Sequence, residues 1–124
     1  AWEAAICDYW IAYNLNRFEK IDESTRNLGK LAAFGEAKNY KWLAAQAYGW
    51  MGFNMLAVSQ PSRALEYSEK ALALSEAVSD VYNMQKILTQ RVDIFRSTGN
   101  YAGALQAAQK NLRVGASPVA SPRQ

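Results

Sequence analysis

Histidine is missing from this chain of 124 residues, and cysteine occurs once, as Cys7. Without imidazole, the commonest metal ligand and the usual general base near neutral pH are unavailable. A single thiol cannot build an internal disulfide framework, so a reducing compartment, the cytoplasm, is the expectation. A lone cysteine in an apolar helical pattern reads as a small packing residue rather than a nucleophile. Proline and glycine are scarce too, at three and seven copies. With Ala and Leu abundant, that scarcity favours helix over strand and turn-rich folds. No Gly-rich phosphate loop, nucleophile elbow, cysteine pair or helical metal motif occurs. The neighbouring acids Asp22 and Glu23 lack a second group to form a catalytic pair. They suit the start of a helix, where the backbone dipole favours negative charge. The expectation is a segment that is not an enzyme and holds neither cofactor nor metal.

Half of the residues are hydrophobic and 12% are aromatic, so the chain can build a core rather than remain disordered. Its length suits one compact domain. The net charge of +3 is unevenly spread. From Val81 onward Lys86, Arg91, Arg96, Lys110, Arg113 and Arg123 face one acid, Asp93, which leaves residues 1–80 at −2. An acidic partner could use that excess, although a solvated face and a basic tail explain it as well. Ala1 opens directly into helical pattern with no leader in sight, and the chain reads as a piece of a longer protein.

Apolar spacing predicts six helices. The first, over 2–18, is rich in aromatics: Trp2, Tyr9, Trp10, Tyr13 and Phe18. The second, over 21–37, turns Leu28, Leu31 and Phe34 inward, with Asp22 and Ser24 as start signals. The third, over 40–58, carries no charge after Lys41, and its apolar residues point all round the axis. Such a helix is buried among neighbours or crosses a membrane. Gln46, Asn54, Gly49 and Gly52 interrupt the run, which falls short of the ~20 residues a span needs. A central place in a stack, and no membrane, is the expectation. Pro61 opens the fourth helix at a position where its missing N–H costs nothing. Its stripe of Ala64, Leu65, Ser68, Ala71 and Leu72 is unusually small, so a neighbouring helix can come close. The fifth helix, over 81–98, ends at Gly99, a left-handed cap. The sixth, over 101–114, turns Ala104, Leu105, Ala108 and Leu112 inward. From Gly115 to Gln124 the composition shifts to Ala, Ser and Pro, a flexible linker.

Helix starts recur every forty residues, at 21, 61 and 101 and near 1, 41 and 81. Ala64 aligns with Ala104, Leu65 with Leu105 and Leu72 with Leu112. A fixed period of paired helices marks a solenoid. Ala64 to Leu72 resembles the second helix of a tetratricopeptide (TPR) repeat, and Gly99 to Leu105 resembles the turn and helix start of another. Gly52, Ala64 and Ala71 occupy the family's small positions. The period exceeds the usual ~34 residues and is similar to longer relatives such as kinesin light chain repeats. A HEAT-like array, with a period of roughly 40–47, is the rival, and the Ala-rich second helices argue against it.

The resemblance implies an all-α fold, a right-handed α-α superhelix of three antiparallel helix pairs, with repeats of about 1–38, 39–79 and 80–114. It implies a concave face lined by first helices. Candidates there are Ile6, Tyr9, Tyr13, Asn16 and Arg17, then Gln46, Gly49, Phe53 and Leu56, then Lys86, Thr89, Asp93 and Arg96. For Tyr9, Tyr13 and Phe53 plain packing is an equal alternative, since aromatics at helical spacing usually form core. Relatives that grip a peptide carboxylate use Lys and Asn where this chain has Tyr9, Tyr13, Gly49 and Phe53, so that clamp is not implied. Three functions follow in order of preference. The first is a scaffold for a protein or peptide partner. The second is self-association through apolar solenoid ends near Trp2 and Trp10. The last is nucleic-acid binding through the basic carboxy-terminal third.

Overall fold

The computed structural model describes residues 2–17 and 21–116, with side chains described for 2–11 and 21–116. Six helices follow one another: α1 (Trp2–Arg17), α2 (Ile21–Ala37), α3 (Lys41–Ala57), α4 (Pro61–Ala77), α5 (Val81–Ser97) and α6 (Tyr101–Ala116). Among the described residues there is no strand. Each helix packs on the next, α1 also meets α3, and α3 meets α5. No helix touches one more than two places along the chain, and α2, α4 and α6 make no backbone contact with one another. The helices therefore march along an axis instead of surrounding one centre, which is a solenoid-like arrangement. The odd-numbered helices approach each other and form the inner layer.

The regularity comes from the turns. From α2 onward each helix starts twenty residues after the last, and a left-handed residue recurs at Asn39, Ser59, Ser79 and Gly99, with φ of 61°, 61°, 55° and 77°. In all four turns a backbone N–H reaches back five residues to close the preceding helix: Tyr40 to Gly35 (2.7 Å), Gln60 to Met55 (2.8 Å), Asp80 to Ser75 (3.0 Å) and Asn100 to Phe95 (2.9 Å). This Schellman closure satisfies carbonyls that a helix end leaves open. Asp80 then accepts from the Asn83 N–H (3.1 Å), and Asn100 accepts from the Gly103 N–H (2.9 Å), which starts the next helix. Only Gly99 was legible as a left-handed cap from composition. Serine adopts that conformation at a cost that the closure has to cover.

α3 sits at the centre, with Leu43, Ala44, Ala45, Ala47, Tyr48, Met51 and Met55 all buried. Its lack of one polar face is the result of having neighbours on three sides. α4 comes close enough that a Cβ on Gly52 would stand 3.3 Å from the Ala64 carbonyl oxygen and 2.8 Å from Gln90 Oε1. Gly35 lets α2 approach equally closely, since a Cβ there would meet the Ala44 backbone nitrogen at 3.1 Å. Polar pairs fix the junctions between successive helix pairs. The Asn54 amide, fully buried, donates to Ser24 (3.3 Å) and Thr25 (3.1 Å). Across α4 and α5, Asn83 donates to Ser75 (2.6 Å) and Arg91 donates to Ser68 (3.0 Å).

Three expectations need correction. Ser24 is not a helix-start residue: it lies inside α2, fully buried, where it accepts from Asn54. Leu105 and Leu112 do not turn inward, being 59% and 75% exposed, because among the described residues nothing packs on that face of α6 as α5 packs on α4. α6 continues through Gly115 to Ala116 rather than ending at 114. The missing Gly115 side chain lets the Gln85 amide approach, 2.6 Å from where a Cβ would stand. Residues 117–124, the expected linker, lie outside the described residues, as does Phe18.

Candidate partner-binding groove

The inner layer opens into a groove of about 500 Å³ between α3 and α5. Its α3 wall is Gln46, Gly49, Trp50, Phe53 and Leu56, which recur at spacings of three and four on one side of the helix. Its α5 wall is Tyr82, Gln85, Lys86, Thr89, Gln90 and Asp93, by the same spacing. Gln90 ties the two walls at the base, its amide donating to the Gly49 carbonyl at 3.0 Å, and the missing Gly49 side chain leaves open space above. Gln90 Oε1 is buried without a hydrogen-bond partner.

The apolar surface is concentrated on α3. Phe53 is 47% exposed and meets the Trp50 indole edge to face, with ring centroids 5.5 Å apart. Trp50 is held from behind, since its indole N–H donates to the Tyr9 hydroxyl at 2.6 Å. The polar surface is concentrated on α5. Lys86 lies over the Tyr82 ring at 5.6 Å, and Asp93 pairs with Arg96 at 3.5 Å. Thr89 gives its hydroxyl proton to the Gln85 carbonyl and accepts from Asn111 at 3.1 Å, which ties α6 to the groove wall. The chemistry on offer is an aromatic floor, an amide edge that can pair with an extended backbone, and one cation on a flexible stem. Among the described residues no three of His, Cys, Asp and Glu come together.

No family model, curated protein or solved structure matches this chain. The groove is therefore read from its own residues. Gln46, Phe53, Lys86, Thr89 and Asp93, named from sequence, line it together with Gly49 and Leu56. Arg96 does not line it; exposed, it pairs with the lining Asp93 at 3.5 Å. Tyr9 lies apart. At 5% exposure it is a core residue whose hydroxyl positions Trp50, the packing role that stood beside the binding one. Ile6 packs against the same core, half-buried. The side chains of Tyr13, Asn16 and Arg17 lie outside the described residues.

Sequence reasoning missed Trp50, Tyr82, Gln85 and Gln90 as lining residues. Tyr82 sits one turn before Lys86 on the stripe of Lys86, Thr89 and Asp93, so extending that stripe would have found it. Trp50 was hidden because every side of α3 is apolar and no polar face marks which direction is free. On the side of α3 away from the groove, Tyr48 donates to Glu36 at 2.7 Å, and the Lys70 ammonium lies 5.3 Å from its ring. Burial and the Glu36 carboxylate push the Tyr48 hydroxyl up to about 12. Tyr48 thus ties α2 to α3 and α4 instead of offering itself to a ligand. No helix among the described residues is long and apolar enough to cross a membrane.

Proposed function

We propose that this chain is a TPR-like interaction scaffold that takes an extended peptide segment of a partner protein in the groove between α3 and α5. The observation that supports it most is the pair Trp50 and Phe53, an aromatic floor that lines the groove in the middle of α3. A soluble surface rarely leaves such rings together without a use. Gln85, half-buried in the α5 wall, supplies an amide for the backbone pairing that an extended chain needs. Lys86 favours an acidic residue beside the apolar anchor.

The test is selection of peptides from a random displayed library against the whole chain, followed by titration of the enriched sequences. Phe53→Ala and Lys86→Glu are then compared with the parent. The reading expects convergence on an apolar residue flanked by an acid, with affinity lowered at least about tenfold by either change. Enrichment of nothing, or binding indifferent to both substitutions, would reject it.

A further inference from the structure

We infer that the segment taken by the groove between α3 and α5 is proline-rich: a partner's chain held as a polyproline helix, with an acidic residue between its prolines. The inference rests on the reading of the groove as a peptide site. The hydrogen-bonding groups that the walls have left decide it. Both walls are helices, whose backbone carbonyls are used within the helix. The side chains add few acceptors. Gln90 donates to the Gly49 carbonyl, and its Oε1 is sealed from solvent without a partner. Gln46 is only 9% exposed. Thr89 already donates to the Gln85 carbonyl and accepts from Asn111. Asp93, the one acid among the lining residues, is paired with Arg96. What stays open can donate: the Lys86 ammonium, the Tyr82 hydroxyl and the Gln85 amide. An ordinary extended peptide brings an N–H at every residue, and those turned to these walls would lose water without gaining an acceptor. Proline brings a carbonyl and no N–H. A backbone that accepts and does not donate is the one these walls satisfy.

The rings agree with this. Trp50 and Phe53 stand nearly perpendicular, at 79° with centroids 5.5 Å apart, and make a notch that a rigid pyrrolidine ring can enter. Tyr82, 73% exposed, is a third ring on the opposite wall. A polyproline helix arrives already extended, so docking it on such rings costs little ordering. The spacing fits as well. The hydrogen bond from Gln90 sets that residue level with Gly49. Tyr82 lies eight residues before Gln90 and Phe53 four after Gly49, so the two rings are ~18 Å apart along the groove, at 1.5 Å per residue. Six residues of polyproline helix span ~19 Å, and with three residues per turn its positions i, i+3 and i+6 share a face. Prolines at i and i+6 meet the two ends, and an acid at i+3 meets Lys86 between them. The chain's own Pro118 and Pro122 do not suit the groove. They are four residues apart, on different faces of a three-fold helix, and residues 117–124 hold no acid for Lys86. The occupant is therefore a partner's segment.

The probe is a labelled peptide, Pro-Ala-Pro-Glu-Pro-Ala-Pro, titrated onto the whole chain by fluorescence anisotropy. Saturable binding is expected, weakened at least about tenfold by Tyr82→Ala, by Phe53→Ala, and by alanine in place of the four prolines. N-methylalanine in their place also removes the N–H and should bind more tightly than alanine does. Both ring side chains are exposed, so their substitution preserves the fold, which circular dichroism verifies. The inference is overturned if the proline peptide fails to bind, if the alanine peptide equals either of the other two, or if both ring variants bind like the parent. Library selection separates it from the reading beneath it. Enriched sequences that need Phe53 and Lys86 yet carry no proline would leave the groove a peptide site and remove the proline requirement. Binding by neither library nor proline peptide would remove both. Tightening of the proline peptide by at least about tenfold in the double variant Pro118→Ala, Pro122→Ala would make the chain's own segment the occupant and overturn the partner.

Discussion

α4 and α6 are written on nearly the same template and meet different fates. Both carry an alanine and a leucine in the first turn, small residues a turn later, and a leucine at the third turn. Leu72 ends among Ile87 and Leu88, whereas its counterpart Leu112 looks into solvent. The amphipathic stripe specifies a face; only the presence of a next helix turns that face into a core. In a stack whose stability is a sum over neighbouring units, the same residue is worth different amounts in the middle and at the end. The two outer ends differ as well. α1 shows Glu3 and Asp8 where α3 and α5 have buried residues, while α6 keeps the pattern of α4 with the hydroxyls removed.

The most direct way to break the comparison is to truncate both leucines. Leu72→Ala removes a buried side chain between α4 and α5 and should cost about 2–4 kcal/mol of unfolding free energy in denaturant titration. Leu112→Ala should stay within about 0.5 kcal/mol. Equal losses would mean that α6 is covered in solution by something the chain itself supplies.

A second contrast lies in how adjacent helix pairs are tied on the outer layer. At the first junction Tyr48 stands between Glu36 and Lys70; at the second, position 88 is leucine and Glu76 reaches Lys110 directly at 3.0 Å. The second tie is a half-exposed ion pair and adds little. The first has a pH signature. Tyr48 holds its proton more tightly folded than unfolded, with its value raised to about 12 from the ordinary 10. Its contribution is whole below pH 10 and is lost as the pH climbs through that window. Relative to Tyr48→Phe, the parent should lose on the order of 2 kcal/mol across it, read by urea titrations at a series of alkaline pH values. Parallel curves for the two proteins would show that burial and Glu36 do not hold the proton on the hydroxyl.

Much of this architecture could be read before any coordinates. The six helices fall within a residue or two of the periodic stripes, because charged and small residues alternate cleanly in α2, α4 and α6. The period of forty was visible because Ala64, Leu65 and Leu72 recur as Ala104, Leu105 and Leu112. The failures share one cause. A single chain shows which side of a helix is apolar and not what stands opposite it. From sequence alone Leu112 therefore reads as inward, Ser24 as a helix-start residue instead of a partner for Asn54, and Trp50 as no different from the rest of α3. Tyr9 was open between two readings for the same reason, and its contact with Trp50 across forty-one residues decides for packing.

Position 75 and its counterpart 115 sharpen the contrast at a smaller scale. Ser75, fully buried, accepts from the Asn83 amide at 2.6 Å. Ser75→Ala leaves that buried donor without its acceptor and should destabilise by about 1–2 kcal/mol in thermal or chemical unfolding. Gly115→Ala at the open end meets only the flexible end of Gln85, at 2.6 Å, which can rotate away. There the gain in helix propensity should prevail and stabilise by roughly 0.5 kcal/mol. A loss at 115 as large as that at 75 would place a fixed neighbour over the end of α6.

The smallest effects belong to the turns, where the comparison runs between Ser79 and Gly99. Both residues are left-handed, at φ of 55° and 77°, and both precede the N–H that closes the Schellman motif. Serine pays a steric penalty there through its Cβ, whereas glycine does not. Replacing Ser79 by Gly removes that strain but adds freedom to the unfolded chain, and the two oppose each other. The strain is of order 1–2 kcal/mol and the entropy somewhat less, so a net stabilisation of about 0.5 kcal/mol is expected. Gly99→Ala runs the other way and should cost about 1 kcal/mol, because nothing crowds its side and conformation alone decides. Since the turn fixes how α5 leaves α4 and how α6 leaves α5, opposite signs at the two sites would show that one backbone geometry is imposed by the stack on whatever residue the sequence supplies. Like signs would show that each turn sets its own.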